Sequence, residues 1–73
     1  MIYKEEIKSR LRLLHNEMGK NSYQIVWESK SMYVTQDIII TWINVINNGG
    51  VKDIQYVMNT ANQLYRKVKN QIQ

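Results

Sequence analysis

The chain contains no cysteine, no proline and no phenylalanine, and it has one histidine among its 73 residues. Without cysteine, neither a disulfide framework nor a thiolate zinc site can form. The single histidine, His15, and the six scattered acidic residues show no spacing typical of a metal site or of a nucleophile with its base. We therefore predict no catalytic residue, no cofactor and no metal ligand, and we expect the protein not to be an enzyme.

Long apolar runs are also missing from the chain. The longest aliphatic run is Ile38-Ile39-Ile40, far below the ~20 residues that a membrane-spanning helix needs. The N-terminal residues are charged and amphipathic, without the apolar block of a signal peptide. We expect a cytoplasmic protein with no membrane partner, and a single domain over residues 1–73, because this length leaves no room for a second.

What the chain does contain is enough apolar material for a core. Hydrophobic residues make up 44% of the sequence and charged residues 22%, a balance that argues against disorder. A chain this short buries only ~60% of the surface that its unfolded form exposes, so we expect a thin stability margin. The formal charge of +4 mildly favours a polyanionic partner.

Residues 2–18 carry one apolar stripe at helical spacing. The stripe consists of Tyr3, Ile7, Leu11, Leu14 and Met18. Gly19 follows in the position of a helix C-cap. These features predict a helix over residues 2–18.

Two further helices are predicted in the second half of the chain. In residues 35–48 the stripe is Ile39, Trp42, Ile43 and Ile46, and the glycines that follow supply a stop signal. The many β-branched residues in this segment leave a long strand as the alternative. Residues 51–72 carry the most continuous helical stripe, made of Ile54, Val57, Met58, Ala61, Leu64, Val68 and Ile72.

Residues 22–34 fit two structures about equally. Tyr23, Ile25 and Trp27 alternate with other side chains as in a half-buried strand, and residues 32–34 could return as a second strand. The competing interpretation is a short helix, favoured by the lack of an Asn-Gly turn. The predicted fold class is therefore mainly α, a compact domain of three principal helices, and becomes α+β if residues 22–34 form a β-hairpin.

Basic residues concentrate on the first and last predicted helices. They are Lys4, Lys8, Arg10 and Arg12 on the first, and Arg66, Lys67 and Lys69 on the last. If these helices pack side by side, the two groups could merge into one positive face for phosphates. The alternative is that they form ordinary solvated helix surface.

Aromatic residues are numerous for so small a domain. Tyr23, Trp27, Tyr33, Tyr56 and Tyr65 cannot all be buried, and exposed Tyr and Trp mark interaction surfaces. Three consecutive isoleucines cannot share one helix face, and we expect Ile40 to protrude. The candidate partner-binding residues are Tyr23, Trp27, Tyr33 and Ile40, for a protein partner or a homodimer.

Residues 29–64 resemble the helix-turn-helix repressors of phages and mobile elements. Residues 34–39 followed by Trp42 resemble the turn and recognition helix, and Asn48-Gly49 with residues 54–64 resemble what comes next. The resemblance implies a first set of residues facing the major groove, and a second set that contacts phosphates. The first set is Gln36, Asp37, Ile40 and Thr41, and the second is Lys30, Lys52 and Arg66.

Two functions are therefore predicted. The first is a nucleic-acid-binding regulator of phage or mobile-element origin, acting as a dimer; its candidate residues are Lys4, Lys8, Arg12, Lys30, Gln36, Thr41, Arg66, Lys67 and Lys69. The alternative is an inhibitor or adaptor that docks its aromatic and isoleucine residues on a partner protein. Two strands in residues 22–34 would argue against a helix-turn-helix and would favour this alternative.

Overall fold

The computed structural model describes residues 3–48 and 52–72, which form three helices and one hairpin. In chain order the elements are α1 (Lys4–Met18), β1 (Tyr23–Trp27), β2 (Lys30–Val34), α2 (Gln36–Asn48) and α3 (Ile54–Ile72). The predicted class, mainly α with a small β component, is confirmed. Ile2, Gly49, Gly50 and Val51, where the predictions placed helix ends and a stop signal, lie outside the described residues.

Helix α1 begins at Lys4, and Glu5 and Glu6 in its first turn suit the positive end of the helix dipole. It ends at Met18, and Gly19 follows as the predicted C-cap, with a φ of 57° that lies in the region that glycine adopts without a Cβ clash. Four of the five predicted stripe residues are fully buried. The fifth, Tyr3, is 67% exposed because it is the N-cap residue that precedes the helix, so its predicted place in the helical stripe is wrong.

The ambiguous segment forms an antiparallel hairpin in which Trp27 pairs with Lys30 and Tyr23 with Val34. The short-helix interpretation is wrong. Glu28 and Ser29 form the two-residue turn with φ angles of 49° and 66°, as a tight hairpin turn demands. Neither is the Asn or Gly that this turn prefers, and left-handed backbone costs about 1–2 kcal/mol per non-glycine residue.

Helix α2 forms where predicted, one residue later at its start, and the long-strand alternative is wrong. Its helical packing overrides the low helix propensity of the β-branched run. Ile39 and Ile46 are buried, whereas Trp42 and Ile43 are only half-buried against the core. Helix α2 is therefore the least covered of the three helices along its predicted stripe.

Helix α3 begins at Ile54 because Asp53 caps it, accepting a hydrogen bond of 3.0 Å from the backbone N–H of Tyr56. The helix therefore begins later than the predicted residue 51. The middle of the predicted stripe, from Val57 to Val68, is buried, and the ends at Ile54 and Ile72 are half-buried. Thr60 is also buried, although it lies beside the apolar stripe.

Helices α1 and α3 run parallel, side by side. Arg10 bonds Asn62 and Glu17 bonds Lys69, and both pairs are separated by 52 positions. A constant offset between two helices requires that they point the same way. The hairpin lies along α3, because the side chain of Gln71 donates a hydrogen bond to the backbone oxygen of Gln24 in β1. Within residues 3–48 and 52–72, no helix combines the length and apolar character needed to span a membrane.

Candidate binding groove between the hairpin and the third helix

An open groove of about 300 Å³ lies between the tip of the hairpin and the outer side of α3. We call it the hairpin–α3 groove. Its lining residues are Val26, Trp27, Glu28, Tyr56, Thr60, Gln63 and Lys67. This volume is at the lower end of the range for small-molecule sites, and the groove is open enough to admit part of a larger partner.

Helix α3 supplies one wall as a single stripe. Tyr56, Thr60, Gln63 and Lys67 are spaced four, three and four residues apart, so they share one face of the helix. At a rise of 1.5 Å per residue the stripe is about 16 Å long. Thr60 is its buried floor, and the other three side chains are exposed.

The hairpin supplies the other wall from both of its faces. Trp27 shares the inner face with Ile25, which is buried in the core, whereas Val26 lies on the opposite, outer face. Both line the groove because they lie at the end of β1, just before the turn at Glu28. Val26 is 61% exposed and Tyr56 58% exposed, so the groove carries apolar surface that the core does not cover.

A second concavity, of about 320 Å³, lies between α1 and α2. We call it the α1–α2 groove. It is lined by Arg12, His15, Asn16, Ile40 and Ile43. Ile40 is 43% exposed, in keeping with its predicted protrusion. This groove has two aliphatic side chains and no aromatic ring other than the imidazole.

The four predicted partner-binding residues do not form one surface. Trp27 lies in the hairpin–α3 groove and Ile40 in the α1–α2 groove. Tyr23 is half-buried on the inner face of the hairpin, whereas Tyr33 is exposed on its outer face. Tyr56 lines the groove together with Trp27. The surplus of aromatic residues indicated that some of them, Tyr56 among the candidates, would be exposed. No spacing in the sequence predicted that Tyr56 lies near Trp27.

Four of the nine predicted nucleic-acid contacts are occupied by bonds within the chain. Lys8 is buried and bonds Glu5 at 3.1 Å, and Lys69 bonds Glu17 at 2.5 Å. Gln36 donates to the backbone oxygen of His15 at 2.7 Å. Thr41 donates to a backbone oxygen of its own helix. Within the described residues, the other five form no salt bridge; they are Lys4, Arg12, Lys30, Arg66 and Lys67.

Bonds within the chain also reduce the positive face that was predicted where the basic residues of α1 and α3 meet. The helices do pack side by side, but Arg10 at that boundary bonds both Glu6 at 2.7 Å and Asn62 at 2.9 Å. The hydrogen bond to Glu17 raises the pKa of Lys69, and the negative charge of Glu17 adds to this effect. Glu17 of α1 thus neutralises one of the positive charges that α3 brings to this boundary.

Over residues 3–48 and 52–72, no group of three or more histidine and carboxylate side chains is arranged so that it could hold a metal ion. Comparison of the chain with protein-family models, curated proteins and solved structures finds no match. The resemblance to helix-turn-helix repressors stays a prediction. Strand β2 occupies residues 30–34, within the stretch that carries this resemblance, so the hairpin–α3 groove gives a better starting point for a functional proposal.

Proposed function

We propose that this chain is a protein-binding inhibitor or adaptor that docks on its partner through the hairpin–α3 groove. The observation that carries the proposal is the meeting of Trp27 and Tyr56 in one open groove, from elements distant in the sequence. Tyr and Trp are the residues most enriched among those that dominate binding energy at protein interfaces.

The chemistry of the groove resembles the centre and rim of a protein interface. Trp27, Tyr56 and Val26 offer apolar area, while Glu28 and Lys67 add one charge of each sign. Interfaces combine an aromatic-rich centre with a polar rim. With one charge of each sign, the groove lacks the excess of positive charge that binds nucleic-acid phosphates, and this favours a protein partner.

Affinity capture from cells of the source organism tests the proposal, with wild-type protein, Tyr56→Ala and Tyr3→Ala as baits. Tyr3 is the matched control, because it is as exposed as Tyr56 but is absent from the groove lining. We expect a stoichiometric protein partner on the wild-type and Tyr3→Ala baits. Tyr56→Ala should weaken binding of the purified partner about 30-fold, the size expected for a hot-spot residue.

Two results would contradict the proposal. One is the absence of any stoichiometric protein partner, and the other is a partner that binds wild type and Tyr56→Ala equally. Sizing of the free wild-type chain belongs to the experiment, because it also tests the predicted homodimer. Self-association through the groove would be weakened by the same Tyr56→Ala change.

The charge of α3 favours nucleic-acid binding as a second candidate function. The helix contains Arg66, Lys67 and Lys69 and no acidic residue, and the chain carries a formal charge of +4. A salt titration with a 20-base-pair duplex and with an oligothymidylate separates this function from the first. Binding that weakens steeply with salt, and whose slope falls by about one unit on Lys67→Gln, would support it. Binding that is absent or insensitive to salt would exclude it.

A further inference from the structure

We propose, on the basis of the protein-binding function above, that the partner enters the hairpin–α3 groove as an extended segment. The segment pairs with the outer edge of β1 at Val26. It places an aromatic or large aliphatic side chain against Trp27 and Tyr56, and an acidic side chain beside Lys67. The mode is strand addition, in which backbone bonds provide affinity and side-chain pockets provide specificity.

The register of the hairpin leaves the backbone of Val26 unpaired within the sheet. A two-residue turn closes on a hydrogen-bonded pair, which here is Trp27 and Lys30. Hydrogen-bonded and non-hydrogen-bonded pairs then alternate along an antiparallel ladder. Val26 and Ser31 form the next pair, so their N–H and C=O groups point away from each other, toward the two outer edges.

A hydrogen bond from α3 shows which way the β1 edge faces. Gln24 lies two residues before Val26 on β1, so its backbone oxygen points toward the same edge. The side-chain amide of Gln71 in α3 donates a hydrogen bond to that oxygen. The outer edge of β1 therefore faces α3. Helix α3 closes this edge at Gln24 and leaves it open at Val26, where the groove begins.

The open edge is short, so backbone pairing must be combined with a side-chain anchor. Val26 offers one N–H and one C=O before the turn begins at Glu28. Trp27 and Tyr56 flank the remainder of the groove and provide aromatic area for one large apolar side chain. The occupant is therefore a short segment with one dominant anchor.

Charge complementarity sets the rest of the ligand chemistry. Lys67 is exposed and forms no salt bridge within the described residues, and the chain as a whole is positively charged. From Tyr56, which contacts the anchor, to Lys67, α3 rises by about 16 Å. An extended chain covers this distance in about five residues, so the acid lies about five positions from the anchor.

Selection of random heptapeptides displayed on phage, with the intact chain as bait, tests this ligand chemistry. We expect enriched peptides to share an aromatic or large aliphatic residue with an acidic residue about five positions away. Lys67→Glu should weaken binding of the selected peptide at least tenfold, and replacing the peptide's acid with lysine should restore binding to that variant. No enriched peptide, or equal binding to wild type and Lys67→Glu, would overturn the inference.

The backbone pairing is tested with the best selected peptide and its N-methylated analogues. Methylating each peptide amide in turn should reveal at least one position that weakens binding tenfold or more, because that amide donates to the carbonyl of Val26. Bound peptide should also slow hydrogen exchange at the amide of Val26. The amide of Ser31 is the internal control, because it points to the opposite edge of the same hairpin.

The outcomes separate this inference from the proposed function. If no methylated position matters, or if Ser31 is protected instead of Val26, strand addition at β1 is wrong. A captured protein partner that still requires Tyr56 would then leave the groove as the docking site, occupied in another way. If the captured partner is also indifferent to Tyr56→Ala, both the inference and the function fail.

Discussion

The two sides of α3 differ in how they meet the rest of the molecule. Toward α1 the helix is tied by side-chain bonds, from Arg10 to Asn62 and from Lys69 to Glu17. Toward the tip of the hairpin it presents Tyr56 and Lys67 to an open groove. We call the side of α3 toward α1 its closed side and the side toward the hairpin tip its open side. The two sides differ in what their residues contribute to stability and to binding.

The side chains on the closed side contribute to the stability of the fold. Asn62 and Lys69 have partners on α1, so replacing them should change stability. The open side carries side chains that folding does not require, such as the exposed Tyr56, and it faces the exposed Val26 of β1 across the groove. A domain of this size has little stability to spare, so uncovered apolar surface beside a strained turn is more readily explained by binding than by folding.

The largest expected effect concerns the core beneath the closed side. Leu11 is fully buried in α1, and Leu11→Ala should lower the free energy of unfolding by about 2–5 kcal/mol, because it leaves a cavity. Leu13→Ala is the matched control on the same helix. Leu13 is 59% exposed, so its replacement should change stability by no more than about 0.5 kcal/mol.

Urea unfolding followed by circular dichroism measures both leucine variants. The contrast between core and surface on α1 would be wrong if Leu13→Ala were as destabilising as Leu11→Ala. Such a result would mean that the outer face of α1 is covered in solution, for example by a second copy of the chain. Dependence of that loss on protein concentration would identify self-association.

The helices could be predicted from the sequence because their apolar stripes repeat at helical spacing, and the stripe residues Leu11, Ile39 and Leu64 are buried as expected. The hairpin could not be distinguished from a helix, because Glu28-Ser29 lacks the chemistry of a two-residue turn. Only the packed structure, in which Ile25 and Val34 reach the core, decides in favour of the strands.

The candidate site was much less predictable than the fold. A sequence shows which basic residues a chain contains but not which acidic residues they pair with in the fold. Glu17 lies 52 positions from Lys69 and becomes its partner only because α1 and α3 are parallel. The groove depends in the same way on the path of the hairpin along α3, which brings Trp27 to Tyr56. Local spacing contains no signal for either contact.

The second prediction concerns the strained turn on the open side. Replacing Glu28 and Ser29 together, as Glu28→Asn with Ser29→Gly, should raise the free energy of unfolding by about 1–2 kcal/mol. The new residues accept the left-handed backbone that the present ones adopt at a cost. Thermal and urea unfolding would measure the gain.

The turn variants also test whether the strain serves the groove. Because Glu28 lines the groove, Glu28→Asn alone should change partner binding, whereas Ser29→Gly alone should leave binding unchanged. Strain held at a functional site is a recognised pattern. If both single variants bind like the wild type, the turn is simply suboptimal and Glu28 has no part in recognition.

The smallest expected effect is the loss, at alkaline pH, of the stability that Lys69 contributes to the closed side. The pKa of Lys69 is raised above its usual value of 10.5 by its hydrogen bond to Glu17. A lysine whose folded pKa is raised contributes stability that is fully present below the unfolded pKa and is lost as pH rises through the folded pKa. Wild-type protein should therefore begin to lose its advantage over Lys69→Gln above about pH 10.5 and lose it fully as the pH passes the raised pKa of Lys69.

Lys67→Gln is the control for this titration, because Lys67 lies two residues away on the open side and forms no salt bridge within the described residues. Its urea midpoint should follow that of the wild type across the alkaline range, because both proteins keep the Lys69–Glu17 bond. If Lys67→Gln and Lys69→Gln follow the same curve, the Lys69–Glu17 bond contributes nothing in solution. The closed side of α3 would then be held by apolar packing and the Arg10–Asn62 bond, and Lys69 would be as available to a partner as Lys67.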